Sequence, residues 1–152
     1  MASNIYECLN IIGKGEFGQI IKARHKITNE FVAIKQNTNN ANLLLYESKI
    51  IRLLQQHKNI LKIKWYGKIE NIPSLVTELL SVNLNQISQR GPLNGELISL
   101  YGKQMISAIE HIHSKGYLHR DIKPDNFMIK HNNKREICII DFGLARKYLD
   151  SN

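Results

Sequence analysis

Asp121, Asn126 and Asp141 are the residues of this chain whose types and spacing are best suited to joint chemistry. The first two lie in Tyr117-Leu118-His119-Arg120-Asp121-Ile122-Lys123-Pro124-Asp125-Asn126, and the third opens Asp141-Phe142-Gly143. Between them run two short apolar segments, Phe127-Met128-Ile129 and Glu136-Ile137-Cys138-Ile139-Ile140, joined by the polar His131-Asn132-Asn133-Lys134. Apolar runs bridged by turn-forming residues predict a β-hairpin. A tight hairpin brings its ends together, so Asp121, Asn126 and Asp141 are expected in one small volume. Two carboxylates and an amide carbonyl are hard oxygen donors, the set that suits magnesium shared with substrate phosphates. Any one of these aspartates alone reads as an ordinary loop residue. The two motifs in this order, this close together, argue for a site.

A second group lies upstream. Ile5 to Ile12 is strand-like and ends at Gly13-Lys14-Gly15-Glu16-Phe17-Gly18, after which Gln19-Ile20-Ile21-Lys22-Ala23-Arg24 is strand-like again. Glycines in such a turn let the backbone approach a ligand with no Cβ in the way. By itself G-x-G-x-x-G is a weak signal. The dinucleotide version leads from strand into helix; here strand leads into strand, and a glycine turn without a ligand is an equal reading until other motifs join it. Phe31-Val32-Ala33-Ile34-Lys35 is a β-branched run holding a lysine, which either snorkels to solvent or finds a partner. Residues 42–56 have helical character, with Leu44, Glu47, Ile51 and Leu54 on one face. A carboxylate in the middle of an apolar face is costly unless paired. An ion pair of Glu47 with Lys35 is the economical answer; a rotated helix with Glu47 in water is the alternative.

The elements that must position these groups follow from the rest of the chain. Residues 60–69 alternate as a strand, and Leu75-Val76-Thr77-Glu78-Leu79-Leu80 makes another. Ser81 to Gly95 is polar and turn-rich, the expected lobe boundary. Glu96 to Ser114 is a long helix with a stripe of Leu97, Tyr101, Met105, Ala108, Ile109 and Ile112, stopped by Gly116. The 152 residues suffice for one domain with a core, burying ~68–70% of the unfolded surface. The net charge of +8 raises a nucleic-acid reading, but the 21 Lys and Arg are scattered from Lys14 to Lys147 with no basic run and no interleaved aromatics. A surface attracting phosphates or acidic substrates accounts for the balance. Cys8 and Cys138 lie far apart in apolar runs and are expected as buried, reduced thiols. No signal peptide and no run of about 18 apolar residues is present, so an intracellular, soluble protein with no membrane partner is expected.

Taken together, the glycine loop, the Val32-Ala33-Ile34-Lys35 strand, the helix glutamate, His119-Arg120-Asp121 with Asn126, and Asp141-Phe142-Gly143 resemble the protein-kinase signature set. The likeness is closer still to the casein kinase I family. It shows in Tyr46-Glu47-Ser48-Lys49, Ile63-Lys64-Trp65, Glu78-Leu79-Leu80, Gln104-Met105-Ile106 and Glu110-His111-Ile112-His113-Ser114-Lys115. It continues through Lys123-Pro124-Asp125-Asn126-Phe127 and from Ile139 to Tyr148, so that it covers the chain from about Tyr6 to Tyr148. The implied fold is α+β, a small antiparallel-sheet N-terminal lobe with one helix (6–80), a connecting segment (81–95) and the beginning of a helical C-terminal lobe (96–152).

The resemblance also implies roles. Gly13, Gly15 and Gly18 would lay backbone over the ATP phosphates, Lys35 would hold the α- and β-phosphates, and Glu47 would fix Lys35. Ile12, Ile20, Ala33, Met128 and Ile140 would sandwich the adenine, its edge bonding backbone from Glu78 to Leu80, with Thr77 at the rear of the pocket. Asp121 would accept the proton of the incoming hydroxyl, Lys123 would steady the transferring phosphoryl group, and Asn126 and Asp141 would hold Mg2+. Gly91-Pro92-Leu93 and the His131 to Lys134 tip match no functional position.

A protein-kinase domain extends further than this chain, which stops inside what would be the activation segment. The expectation is therefore a truncated serine/threonine kinase of casein kinase I type, using ATP and Mg2+ on an acidic or phosphorylated protein substrate, cytoplasmic or nuclear, with no nucleic-acid partner. It would be a monomer, or would need a partner to cover the exposed stripe of the Glu96–Ser114 helix. The alternative is an ATP-binding or partner-binding kinase fragment without phosphotransfer activity of its own.

Overall fold

The glycine motif and its neighbouring strands form one antiparallel sheet in the computed structural model of the chain, which describes residues 5–15, 18–37 and 40–149. Two compact units divide it: Met1–Arg52 with Lys62–Leu79, and Leu53–Leu61 with Leu80–Asn152.

The first unit holds β1 (Tyr6–Gly15), β2 (Gly18–His25), β3 (Phe31–Gln36), most of α1 (Ala41–Leu54), β4 (Ile63–Ile69) and β5 (Ile72–Glu78). Among the described residues its sheet has five strands in the order β1-β2-β3-β5-β4. Period-two alternation sends Ala23, Val32, Ile34 and Val76 to one face, where they pack with Tyr6 and Ile69. On α1 the expected face is the buried one: Leu44, Glu47, Ile51 and Leu54 are all almost wholly enclosed. Asn40 starts this helix, its Oδ1 accepting the Leu43 N–H at 2.9 Å.

The second unit contains β6 (Leu80–Asn83), α2 (Leu84–Ser88), α3 (Gly95–Ser114), β7 (Tyr117–Leu118), the 3₁₀ turn Pro124–Asn126, β8 (Phe127–Lys130), β9 (Asn133–Ile139) and β10 (Arg146–Lys147). The expected hairpin is present as β8 paired antiparallel with β9. Helix α3 begins at Asn94, whose Oδ1 accepts the Leu97 N–H, and ends where Gly116 turns left-handed at φ 76. Tyr101, Ala108 and Ile112 of the expected stripe are buried, joined by Gln104.

Four local expectations are corrected. Residues 60–69 are not one strand: β4 starts at Ile63, whereas Ile60 bridges Ile139 and the Leu61 N–H donates to the Ile139 carbonyl, within the second unit. Residues 75–80 likewise divide, with Leu80 pairing to β8. The polar stretch 81–95 is partly ordered, because Asn83 and Gln86 form a reciprocal capping box that starts α2. Cys138 is buried as expected, but Cys8 is exposed, since β1 is an edge strand with one face left open.

Candidate active site

In the first unit the sheet register explains which side chains share a face. Ile20 lies opposite Lys35, and Ala33 lies opposite both Lys22 and Thr77. Directly paired residues project to the same side, so Ile20, Ala33, Lys35 and Thr77 line one face, away from the Val32–Ile34–Val76 core. The Lys35 Nζ donates to both Glu47 carboxylate oxygens, at 2.8 and 3.1 Å. Glu47 is 3% exposed and Lys35 28%. Burying a carboxylate this far is costly, and the ammonium against it offsets that cost.

The glycine hairpin is closed by Gly13 opposite Ile20 and Gly15 opposite Gly18; Glu16 and Phe17 of that motif lie outside the described residues. Gly18 adopts φ 121, and a Cβ there would collide with the Gln36 carbonyl oxygen. Only glycine fits that position. Ile12 and Ile20 are exposed beside the hairpin, large apolar side chains left in water. Thr77 is buried, and the Glu78 N–H is taken by the Lys62 carbonyl at 3.0 Å while the Glu78 carbonyl accepts the Thr77 hydroxyl at 3.2 Å.

In the second unit Asp121, Asn126 and Asp141 are tied together through a ring of hydrogen bonds. Asn126 is buried, and its Nδ2 donates to the Asp121 backbone oxygen at 2.7 Å and to Asp121 Oδ2 at 2.8 Å. The Asn126 carbonyl accepts the Ile140 N–H at 2.9 Å. The Ile140 carbonyl in turn lies 2.9 Å from His119 Nε2, and His119 Nδ1 accepts the Asp121 N–H at 3.3 Å. A carbonyl can only accept, so His119 carries its proton on Nε2 and is neutral. Burial pushes its pKa down, against the upward pull of the Ile140 carbonyl, Asp141 and Asp121. Phe142 packs edge-on against the same ring, 5.0 Å between centroids.

Lys123 Nζ sits 2.8 Å from Asp121 Oδ2. This lysine first, and the Asn126 amide second, hold the Asp121 carboxyl below its ordinary range, so it is ionised at neutral pH. Lys123 is raised by the same contact. Arg120 and Asp141 both adopt positive φ, 66 and 62. Non-glycine residues rarely do so, and surrounding bonds hold them there: Arg120 Nε donates to the Leu144 carbonyl at 2.7 Å, and the Gly143 N–H reaches Asp141 Oδ1 at 3.4 Å.

The donor set fits a hard divalent cation. Asn126 spends its amide nitrogen on Asp121, which leaves the amide oxygen as its outward donor, and Asp141 presents an exposed carboxylate one residue beyond Ile140. Met128 and Ile140 are half-buried beside this ring, with Met128 facing Cys138 across the hairpin and Asn83 across β6.

Two positioning residues escaped the sequence reading. His119 is the post on which both acidic motifs hang; its place between an apolar pair and Arg120-Asp121 was the available signal. Asn59 is buried, donating to Gln104 Oε1 at 2.8 Å and the Ile137 carbonyl at 2.7 Å, and so holds residues 53–61 against α3 and β9. A lone asparagine in a polar loop carries no such signal.

A family model for the protein kinase domain matches residues 6–152. Phosphoryl transfer from ATP with a divalent metal is the chemistry of that family, and an enclosed lysine–glutamate pair, a glycine hairpin and an ionised aspartate held by lysine and asparagine are what such chemistry requires. On that match, which spans nearly the whole chain, the protein belongs to the protein kinase family, with an α+β fold whose N-terminal lobe is an antiparallel sheet.

Proposed function

We propose that the chain carries the nucleotide and phosphoryl-transfer machinery of a serine/threonine kinase of casein kinase I type. The observation that carries this reading is the Asp121 carboxylate, kept ionised between Lys123 and Asn126 at 2.8 Å from each. Asp121 would accept the hydrogen bond, then the proton, of an incoming serine or threonine hydroxyl, and Lys123 would lie against the transferring phosphoryl oxygens. In the first unit, Gly13, Gly15 and Gly18 would offer backbone N–H groups to the phosphates while Lys35, fixed by Glu47, binds the α- and β-phosphates. Ile12, Ile20, Ala33, Met128 and Ile140 would contact the adenine, with backbone at Glu78 and Leu80 on its edge. Asn126 and Asp141 would hold magnesium, which when bound neutralises charge on the phosphates. Such a site accelerates by positioning and charge neutralisation rather than by covalent chemistry. The serine/threonine choice and the casein kinase I type rest on the motif likeness from Tyr46 to Tyr148. By the same likeness the substrate is an acidic or phosphorylated protein.

The test is a thermal melt with and without Mg·ATP. Nucleotide at ~100 times its dissociation constant should add about 2.7 kcal/mol to the folded state, and Lys35→Ala should abolish the shift. Phosphate transfer to an acidic serine peptide, compared with Asp121→Asn, then reads the chemistry. A cooperative melt that ignores Mg·ATP would refute the nucleotide site.

A further inference from the structure

We infer that Gln36 is a positioning residue that seats the C-terminal end of the glycine hairpin, a role that rests on the reading of that hairpin as the phosphate-binding element. Gln36 follows Lys35 at the end of β3 and is 6% exposed. Its side-chain amide both accepts and donates, linking three strands. Gln19 Nε2 donates to Gln36 Oε1 at 3.0 Å, and Gln36 Nε2 donates to Ser74 Oγ at 3.2 Å. Ser74 is itself buried, and its hydroxyl donates to the Ile72 carbonyl at 2.9 Å. Gln19, Gln36 and Ser74 are direct cross-strand partners, so the relay runs straight across β2, β3 and β5.

The backbone of Gln36 adds a second contact. Its carbonyl oxygen occupies the space that a Cβ of Gly18 would need. The last glycine of the hairpin therefore rests directly on this residue, while the next residue, Gln19, is held by its amide. The following Asn37 is 2% exposed, and its Oδ1 accepts the Asn40 N–H at 2.8 Å, immediately before the Asn40 cap of α1. Gln36 and Asn37 thus stand between the hairpin that would cover the phosphates and the helix that carries Glu47. Removing the amide takes from buried Ser74 Oγ the N–H it accepts and from half-buried Gln19 Nε2 its acceptor on Gln36, and loosens β2 where it leaves the hairpin.

The test uses the full chain without nucleotide, comparing amide hydrogen exchange in wild type, Gln36→Leu, Gln19→Leu and the double variant. Exchange across Gly13–Lys22 should rise about 3- to 10-fold in Gln36→Leu, the range one hydrogen bond is worth. Peptides of β4 should be unchanged, and the double variant should lose no more than the worse single one. The Mg·ATP dissociation constant should rise by a similar factor. Should Gln36→Leu fail to fold, half-buried Gln19→Leu carries the same comparison. Unchanged exchange, a uniform rise across β2 to β5, or faster exchange at unaltered ATP affinity would each overturn the inference. If wild type binds no Mg·ATP, the nucleotide reading falls, and the hydrogen-exchange contrast alone decides the seating role.

Discussion

Lys35 and Glu47 illustrate how a single buried charge constrains its neighbours. Glu47 faces the same side of α1 as Leu44, Ile51 and Leu54, and its cost is offset by the ammonium 2.8 Å away. Lys35→Met leaves that carboxylate enclosed and unpaired, so the urea midpoint should fall by the equivalent of about 3–5 kcal/mol. Adding Glu47→Leu should recover most of the loss, because replacing both partners by apolar groups removes the uncompensated charge. Equal stability of the single and double variants would show that Glu47 reaches water. The pair was legible in the sequence because a glutamate in an apolar stripe demands a cation, and Lys35 was the nearest one set in a strand. His119 was not legible in the same way, since its two hydrogen bonds go to backbone groups of Asp121 and Ile140 that no side-chain pattern announces.

Among the elements, the segment from Leu53 to Leu61 is hard to predict from pattern yet tied at several points. Asn59 bonds to α3 and β9, His57 Nε2 lies 3.1 Å from Ser107 Oγ, and His111 Nε2 lies 3.0 Å from the Leu54 carbonyl. His57 and His111 stack at 4.9 Å. Because His57 Nδ1 accepts the Asn59 N–H at 3.2 Å, the ring is neutral in the folded state. Burial first, then His111 and Lys58, lower its pKa below 6.5, against a weaker upward pull from Glu110. The unfolded chain then binds more protons than the folded one between the depressed value and about 6.5, so stability rises with pH across that window. It is fully present above the unfolded value and is lost as pH falls. His119 is shifted in the same direction and adds to the slope. Urea midpoints measured from pH 7.5 down to pH 5 should therefore decline, and His57→Gln should flatten part of the decline. An unaltered slope in that variant would place the titration elsewhere.

For the molecule as a whole, α3 carries further apolar side chains outside its inward stripe. Ile98 is 57% exposed and Ile106 69%, and Ile106, Ile109, His113 and Tyr148 line an open apolar groove with Glu110 and Ser114 at its edge. Contiguous apolar surface of this kind favours association. Ile106→Lys should lower light scattering and binding of an apolar dye, with a stability change within about 0.5 kcal/mol, as for other surface substitutions. Scattering unchanged by that substitution would clear the groove of the effect. Among the described residues no helix is long and apolar enough to cross a membrane.

Much of the architecture was written in local pattern. Period-two runs marked most strands, Gly116 marked the end of α3, and the two acidic motifs flanking turn residues marked the hairpin, because each depends on backbone geometry within a few residues. Long-range competition decided the rest. Ile60 and Leu61 left the strand they alternate with because the Ile139 backbone offered them partners, and residues 75–80 divided because Leu80 found β8. Cys8 stayed exposed because an edge strand has no neighbour to cover it. The hydrogen-bond ring through His119, Asn126 and Ile140 belongs to the same class, for backbone carbonyls and N–H groups are common to every residue. Which of them meet is a property of the folded chain alone.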